Sequence, residues 1–112
     1  MARDPKNFKN TTQLSTTAVD IIDAVASSTK SVVRKLSFYN SGTSDRSVTV
    51  YVVASGGTAG TTNTLAVKSI PPKKTWNVIE AQGEILETGM KLQASQDAGA
   101  DINANCSGAN IT

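Results

Sequence analysis

Apolar and polar positions alternate most clearly between Ser31 and Gly57. In the run 32–40, Val32, Leu36 and Phe38 share one parity, and Arg34 is out of step. In the run 47–55, Val48, Val50, Val52 and Ala54 share a parity, with Thr49, Tyr51, Val53 and Ser55 opposite. Between them lies the polar turn Ser41-Gly42-Thr43-Ser44-Asp45-Arg46. Two period-2 runs around a glycine-containing turn predict a β-hairpin, against which the other strands would lie. A second pattern is as clean. Met90, Leu92 and Ala94 alternate with Lys91, Gln93 and Ser95, and beyond Asp97-Ala98-Gly99 the alternation resumes through Ala100, Ile102, Ala104 and Cys106. It predicts a second hairpin.

The rest of the chain fills in around these two. The stretch 19–25 (VDIIDAV) is rich in β-branched residues and reads as a strand. Residues 56–62 form a loop with three glycines, and 64–70 alternate weakly up to Pro71-Pro72, where the missing N–H groups end any ladder. A short strand at 73–79 carries the sole Trp76, and Gly83 and Gly89 bracket a compact turn at 84–87. Residues 1–13 show no periodicity and read as an extended N-terminal arm. The predicted architecture is an all-β antiparallel β-sandwich, jelly-roll-like, with seven or eight short strands. Its domain spans 14–112, preceded by the arm at 1–13.

Composition fits this reading. Hydrophobic residues make up 38% and aromatics only 4%, so Val, Ile, Leu and Ala must build the core. Ser and Thr number 26, with 8 Asn and 8 Gly, a strand-and-turn vocabulary. The formal charge of +2 comes from the arm, where Arg3, Lys6 and Lys9 face one Asp4; from Asn10 onward, acids and bases cancel. Phe8 is the arm's one large apolar group and its natural anchor on a partner. Residues 1–15 lack an apolar signal core, and no apolar run is long enough to cross a membrane, so synthesis in a reducing cytoplasm is expected, with no membrane partner.

Chemistry is harder to find. The chain has no histidine, which removes the usual general base near neutral pH, the Ser-His-Asp and Cys-His arrangements and the common zinc sites. The single Cys106 excludes an internal disulfide and reads as a small buried apolar side chain. Gly56-Gly57-Thr58-Ala59-Gly60 is glycine-rich, but strands rather than a helix follow, so it reads as an inter-strand loop and not a phosphate cradle. Asp20 and Asp23 have opposite strand parity. Glu80, Glu84 and Glu87 offer carboxylates that Ca²⁺ accepts, though without EF-hand spacing, and read as a solvated acidic turn. Lys73-Lys74 beside Trp76 reads as a charged strand edge rather than a nucleic-acid patch, because the domain is otherwise neutral. No enzyme, cofactor, metal or nucleic-acid partner is expected.

The order of pieces also resembles small virion structural proteins of tailed bacteriophages. A strand pair, RKLSFYNSGTSDRSVTVYVVASGGTAGTTNTL, precedes a proline-started strand and a closing segment with turn glycines. Asn40, Gly42, Ser55-Gly56-Gly57, Asn63-Thr64-Leu65, Pro72, Leu86, Gly89, Leu92, Ala94 and Ser107-Gly108 carry the resemblance, which covers 31–112. It implies an assembly role in the virion, similar to capsid decoration (cement) proteins, often trimeric. The expected partners are the major capsid protein and copies of the chain itself. Arg3, Lys6, Phe8 and Lys9 of the arm are the candidate capsid-binding residues. A tail, neck, adaptor or head-fibre component is the structural alternative. A carbohydrate-binding module using Trp76, Tyr39 and Tyr51 is the alternative from another class.

Overall fold

Both alternating runs are strands, and they lie in different sheets. The computed structural model describes residues 3–112, with the side chains of 9–12 outside the description. Nine strands follow in chain order: β1 (Arg3–Gln13), β2 (Val19–Ile22), β3 (Lys30–Asn40), β4 (Arg46–Val53), β5 (Thr64–Ile70), β6 (Thr75–Asn77), β7 (Ile85–Leu86), β8 (Lys91–Gln96) and β9 (Ile102–Ile111). The first sheet has the order β1-β9-β3-β6, with β7 on β3 beyond β6. The second has the order β2-β8-β4-β5. All pairings are antiparallel. Up to β4 the chain changes sheet at every connection, stays in the second sheet for β5, and then returns through β6 and β7 to the first. The final crossings, to β8 and back to β9, complete two interlocked four-strand orders. The fold is a jelly roll.

This topology corrects both predicted hairpins. β3 pairs with β9, β6 and β7, while β4 pairs with β8 and β5. The turn after Asn40 is therefore an arch across the sandwich. β8 and β9 are likewise separated, one in each sheet. The alternation was real, because each strand does bury one face. In an arch, however, those faces meet across the core instead of lying side by side.

A bulge explains the out-of-step Arg34. The β3–β9 register shifts between Val33 and Lys35, so one extra residue reverses the parity along β3. Val33, Leu36 and Phe38 are all buried, whereas Val32 faces the other way and is only half-buried. Phe38 stacks at a tilt on Trp76, with ring centroids 5.8 Å apart. Opposite them stand Val48, Val50, Leu92 and Ala94, with Ile102, Ala104 and Cys106 completing the interior. Burying each of the larger aliphatic side chains contributes about 1.5–3 kcal/mol.

Polar groups inside this core are matched. Gln96 donates to the Leu14 carbonyl (2.6 Å) and accepts from the Asp101 N–H (3.2 Å). Asn40, fully buried, donates to the carbonyls of Ser44 and Ile70 (both 2.8 Å) and accepts from the Gly42 N–H (2.9 Å). Among the described residues no buried side-chain polar atom lacks a partner.

Candidate functional site

The basic N-terminal segment forms an edge strand. β1 lies along β9 from Arg3, opposite Ile111, to Gln13, opposite Asn103, with register shifts on either side of Lys9. Among the described residues β9 is its only strand partner, so the other edge of β1 is open. The segment read as an extended arm is a strand along β9 of the same chain.

Alternation along β1 separates the candidate residues. Asp4 and Lys6 stand opposite Asn110 and Gly108, on the face turned toward the second sheet. Arg3, opposite Ile111, has the reverse parity and is exposed on the outer face. Phe8 is half-buried and packs against the core. Lys9 stands opposite Cys106 by its backbone, and its side chain lies outside the description. Arg3, Lys6 and Phe8 therefore do not converge on one site.

Phe8 fits there because of Gly108. A Cβ at Gly108 would fall 1.9 Å from the Val32 carbonyl oxygen and 3.0 Å from Phe8 Cε2. Only a residue without a side chain lets β3 approach so closely while leaving space for the ring. Below Phe8 a groove of about 350 Å³ runs between β1 and the segment after β2, lined by Asp4, Lys6, Ile21, Val25 and Ser31. Lys6 and Asp4 form an exposed ion pair at 3.3 Å. Such a pair contributes little to stability. Both charges stay accessible to a partner.

The three glutamates do not form a shared site. Glu80 lies in a single 3₁₀ turn (Ile79–Ala81), whose preceding residue, Val78, bonds Leu36 of β3. Glu84 stands beside Val33, and Glu87 beyond β7 pairs with Lys30 at 3.4 Å. They are strung along the flank of β3. Among the described residues no three metal-ligating side chains gather.

The aromatic candidates are equally dispersed. Tyr39 lies on the outer face of the first sheet, and Tyr51 on that of the second, its hydroxyl 3.2 Å from Ser95 Oγ. Trp76 is buried. Desolvation by burial pushes the Cys106 thiol up to about 12, so the group stays protonated and a poor nucleophile.

One feature escaped the sequence reading. Val67, Ile79 and Ile85 are 58%, 73% and 52% exposed, on elements at the sheet edges away from β1, with Ile85 (opposite Val32) and Val67 (opposite Thr49) on the outer faces of different sheets. Val67 and Ile79, with Trp76 and Glu80, line an open groove of about 430 Å³ between β5 and β6. Two of these residues sit on elements of two or three residues, too short to show a period.

No protein-family model matches the chain, and no curated protein is similar to it. Among solved structures it is similar to infectious bursal disease virus, Gx strain, at a TM-score of 0.45 and 16% identity, over 97% of this chain and 31% of that one. It is also similar to the T13 viral particle of the same virus, at a TM-score of 0.40 and 19% identity, over 97% and 30%. The chain spans about a third of the length of these solved chains.

Proposed function

We propose that this chain is a non-enzymatic bacteriophage virion structural protein, a capsid decoration (cement) protein that binds and stabilises the major capsid protein shell. The observation that carries the reading is the jelly-roll strand order, which leaves the basic segment as an edge strand with one side open. Double-sheet jelly rolls serve viral capsids and lectins. The aromatics a lectin would use are divided between two outer faces and the core here, which favours the assembly role. The open edge of β1, with Arg3, Lys6 and Lys9, meets the shell, and Phe8 anchors the strand from beneath. A repeated lattice suits this arrangement, because many weak edge contacts sum to stable coating.

Copy number in purified particles tests the location. Hundreds of copies mean a decoration protein, roughly six or twelve mean the tail or neck, and none refutes a virion role. The arm is tested by adding the purified protein to capsid shells. The double substitution Arg3→Glu and Lys6→Glu changes exposed side chains and leaves the fold intact, read by an unchanged melting temperature. Shell affinity should fall about tenfold or more, the equivalent of 1.4 kcal/mol. Unchanged coating by this variant refutes the role of the arm.

A further inference from the structure

We propose that residues 3–8 exchange between copies of this chain, the segment of one copy completing the first sheet of its neighbour. The occupant and its seat are those seen within a single copy. Residues 3–7 pair with 107–111 of β9, and Phe8 packs on the core where Gly108 leaves space for its ring. Exchange keeps these contacts and moves them between chains, a route to oligomers that needs no new surface.

The ladder sets where the strand parts. From Arg3 to Asn7 the residues of β1 and β9 match one to one. From Asn7 to Lys9, two steps along β1 match a single step along β9, from Ser107 to Cys106. From Lys9 to Thr12, three steps match two, from Cys106 to Ala104. Bulges of this kind disrupt pairing and bend the strand that carries them. Beyond them the chain is fixed. The Leu14 N–H donates to the Ile102 carbonyl (2.8 Å), and Leu14 itself is buried. Gln96 donates its side-chain amide to the Leu14 carbonyl (2.6 Å) and its backbone N–H to the Ser15 carbonyl (3.0 Å). With a regular tip and a locked base, the joint lies at 9–12. Extended, the chain from Lys9 to Gln13 spans about 13 Å, against about 10 Å for two strand spacings.

Little but the ladder and Phe8 holds the tip to its own copy. Its ion pair, Lys6 with Asp4, is internal and travels with it. Among the described residues no ion pair ties the tip to the body. Asp23, the other charge lining the groove below Phe8, is exposed and meets the same tip whichever copy supplies it. The competing route to self-association joins two β1 edges side by side. Pro5, with no N–H to give, and the charges of Arg3 and Lys6 oppose it.

Disulfide trapping in the whole chain tests the exchange. One chain carries Pro5→Cys and the other Ala109→Cys, facing positions on β1 and β9, and both carry Cys106→Ala so that no other thiol reacts. Neither chain can close the bond alone. After mixing at millimolar concentration and oxidation, the mixed disulfide should exceed the like-chain disulfides together by about threefold or more, where random collision gives about equal amounts. Arg3→Cys with Ile111→Cys, at the exposed end of the strand, repeats the test without touching the interior. Mixed disulfide at or below the random share in both pairs overturns the proposal. So does a predominance of the Pro5→Cys chain joined to itself, which marks edge-to-edge pairing. The pair Gln13→Cys with Asn103→Cys lies beyond the joint and should stay at the random share. An excess there as well overturns a joint at 9–12. No shell enters the measurement, so its failure and that of the decoration reading are distinct.

Discussion

The connection between β3 and β4 and the connection between β4 and β5 look alike as sequence. Both are polar, both contain glycine, and both separate apolar-alternating runs. The first crosses from one sheet to the other, while the second returns within a sheet, Val50 opposite Ala66 and Tyr51 opposite Thr64. Their hydrogen bonds explain the difference. In the β4–β5 loop the bonds are local: Asn63 accepts from the Gly60 N–H and donates to the Thr58 carbonyl, and the Gly57 N–H bonds Ala54. At the β3–β4 arch they are long-range. Asn40 reaches Ile70, and the Ser41 N–H and hydroxyl both donate to the carbonyl of Asp101, from the connection between β8 and β9. Arg46 completes the corner through a 2.9 Å ion pair with the Asp101 carboxylate. Two arches thus brace each other at one end of the sandwich.

Removing Asn40 should break this corner most severely. Asn40→Leu keeps the branching of the side chain but strands the buried Ile70 carbonyl and two further groups of the turn. Each unsatisfied buried group costs about 1–3 kcal/mol, so a loss of about 3 kcal/mol is expected. For a domain of this size that lowers the melting temperature by about 10 °C or more. The matching change in the hairpin loop, Asn63→Leu, acts on a half-exposed side chain and should cost about 1 kcal/mol or less. Equal melting temperatures for the two variants would erase the distinction between arch and hairpin.

A smaller effect isolates the bracing itself. Arg46 and Asp101 belong to different arches, with side chains 22% and 30% exposed. A double-mutant cycle with Arg46→Ala and Asp101→Ala should give a coupling of about 1 kcal/mol in denaturant melts. The coupling should shrink in high salt, since the pair is partly solvated. A coupling near zero would mean that the arches meet without supporting each other.

These corners show what alternation along a chain reports. A period of two says that a strand has one buried face, and it located β3, β4, β8 and β9 correctly. Pairing depends on which backbone edge meets which, and nothing in Val48, Val50 or Leu36 encodes that. The deciding groups were single residues far apart in sequence, Asn40 with Ile70 and Arg46 with Asp101. The bulge after Val33 left a trace in the misplaced Arg34. The basic segment was legible as a unit through its charge, but not as an edge strand, because its fit depends on Gly108 about a hundred residues later. The exposed apolar residues away from β1 were least legible of all. Ile79 and Ile85 resemble core residues by type, and only the ends of β6 and β7 show that nothing covers them.

The mildest test changes loop length rather than chemistry. Four residues inserted between Gly57 and Thr58 lengthen a loop whose bonds at 58–63 remain intact. Loop-closure entropy rises only with the logarithm of length, so the cost should be about 0.3 kcal/mol. The same insertion between Gly42 and Thr43 separates Asn40 from Ser44, whose carbonyl it must reach, and pushes Gly42 away from Asp101. A Cβ on Gly42 would already lie 2.6 Å from the Asp101 carboxyl carbon, so added chain has no space to pack on that side. Losing the Asn40–Ser44 bond alone costs about 1 kcal/mol. The two insertions should therefore differ at least threefold in destabilisation at equal length. Equal costs would show that the arch tolerates slack as a hairpin loop does, and that its long-range bonds follow the fold rather than hold it.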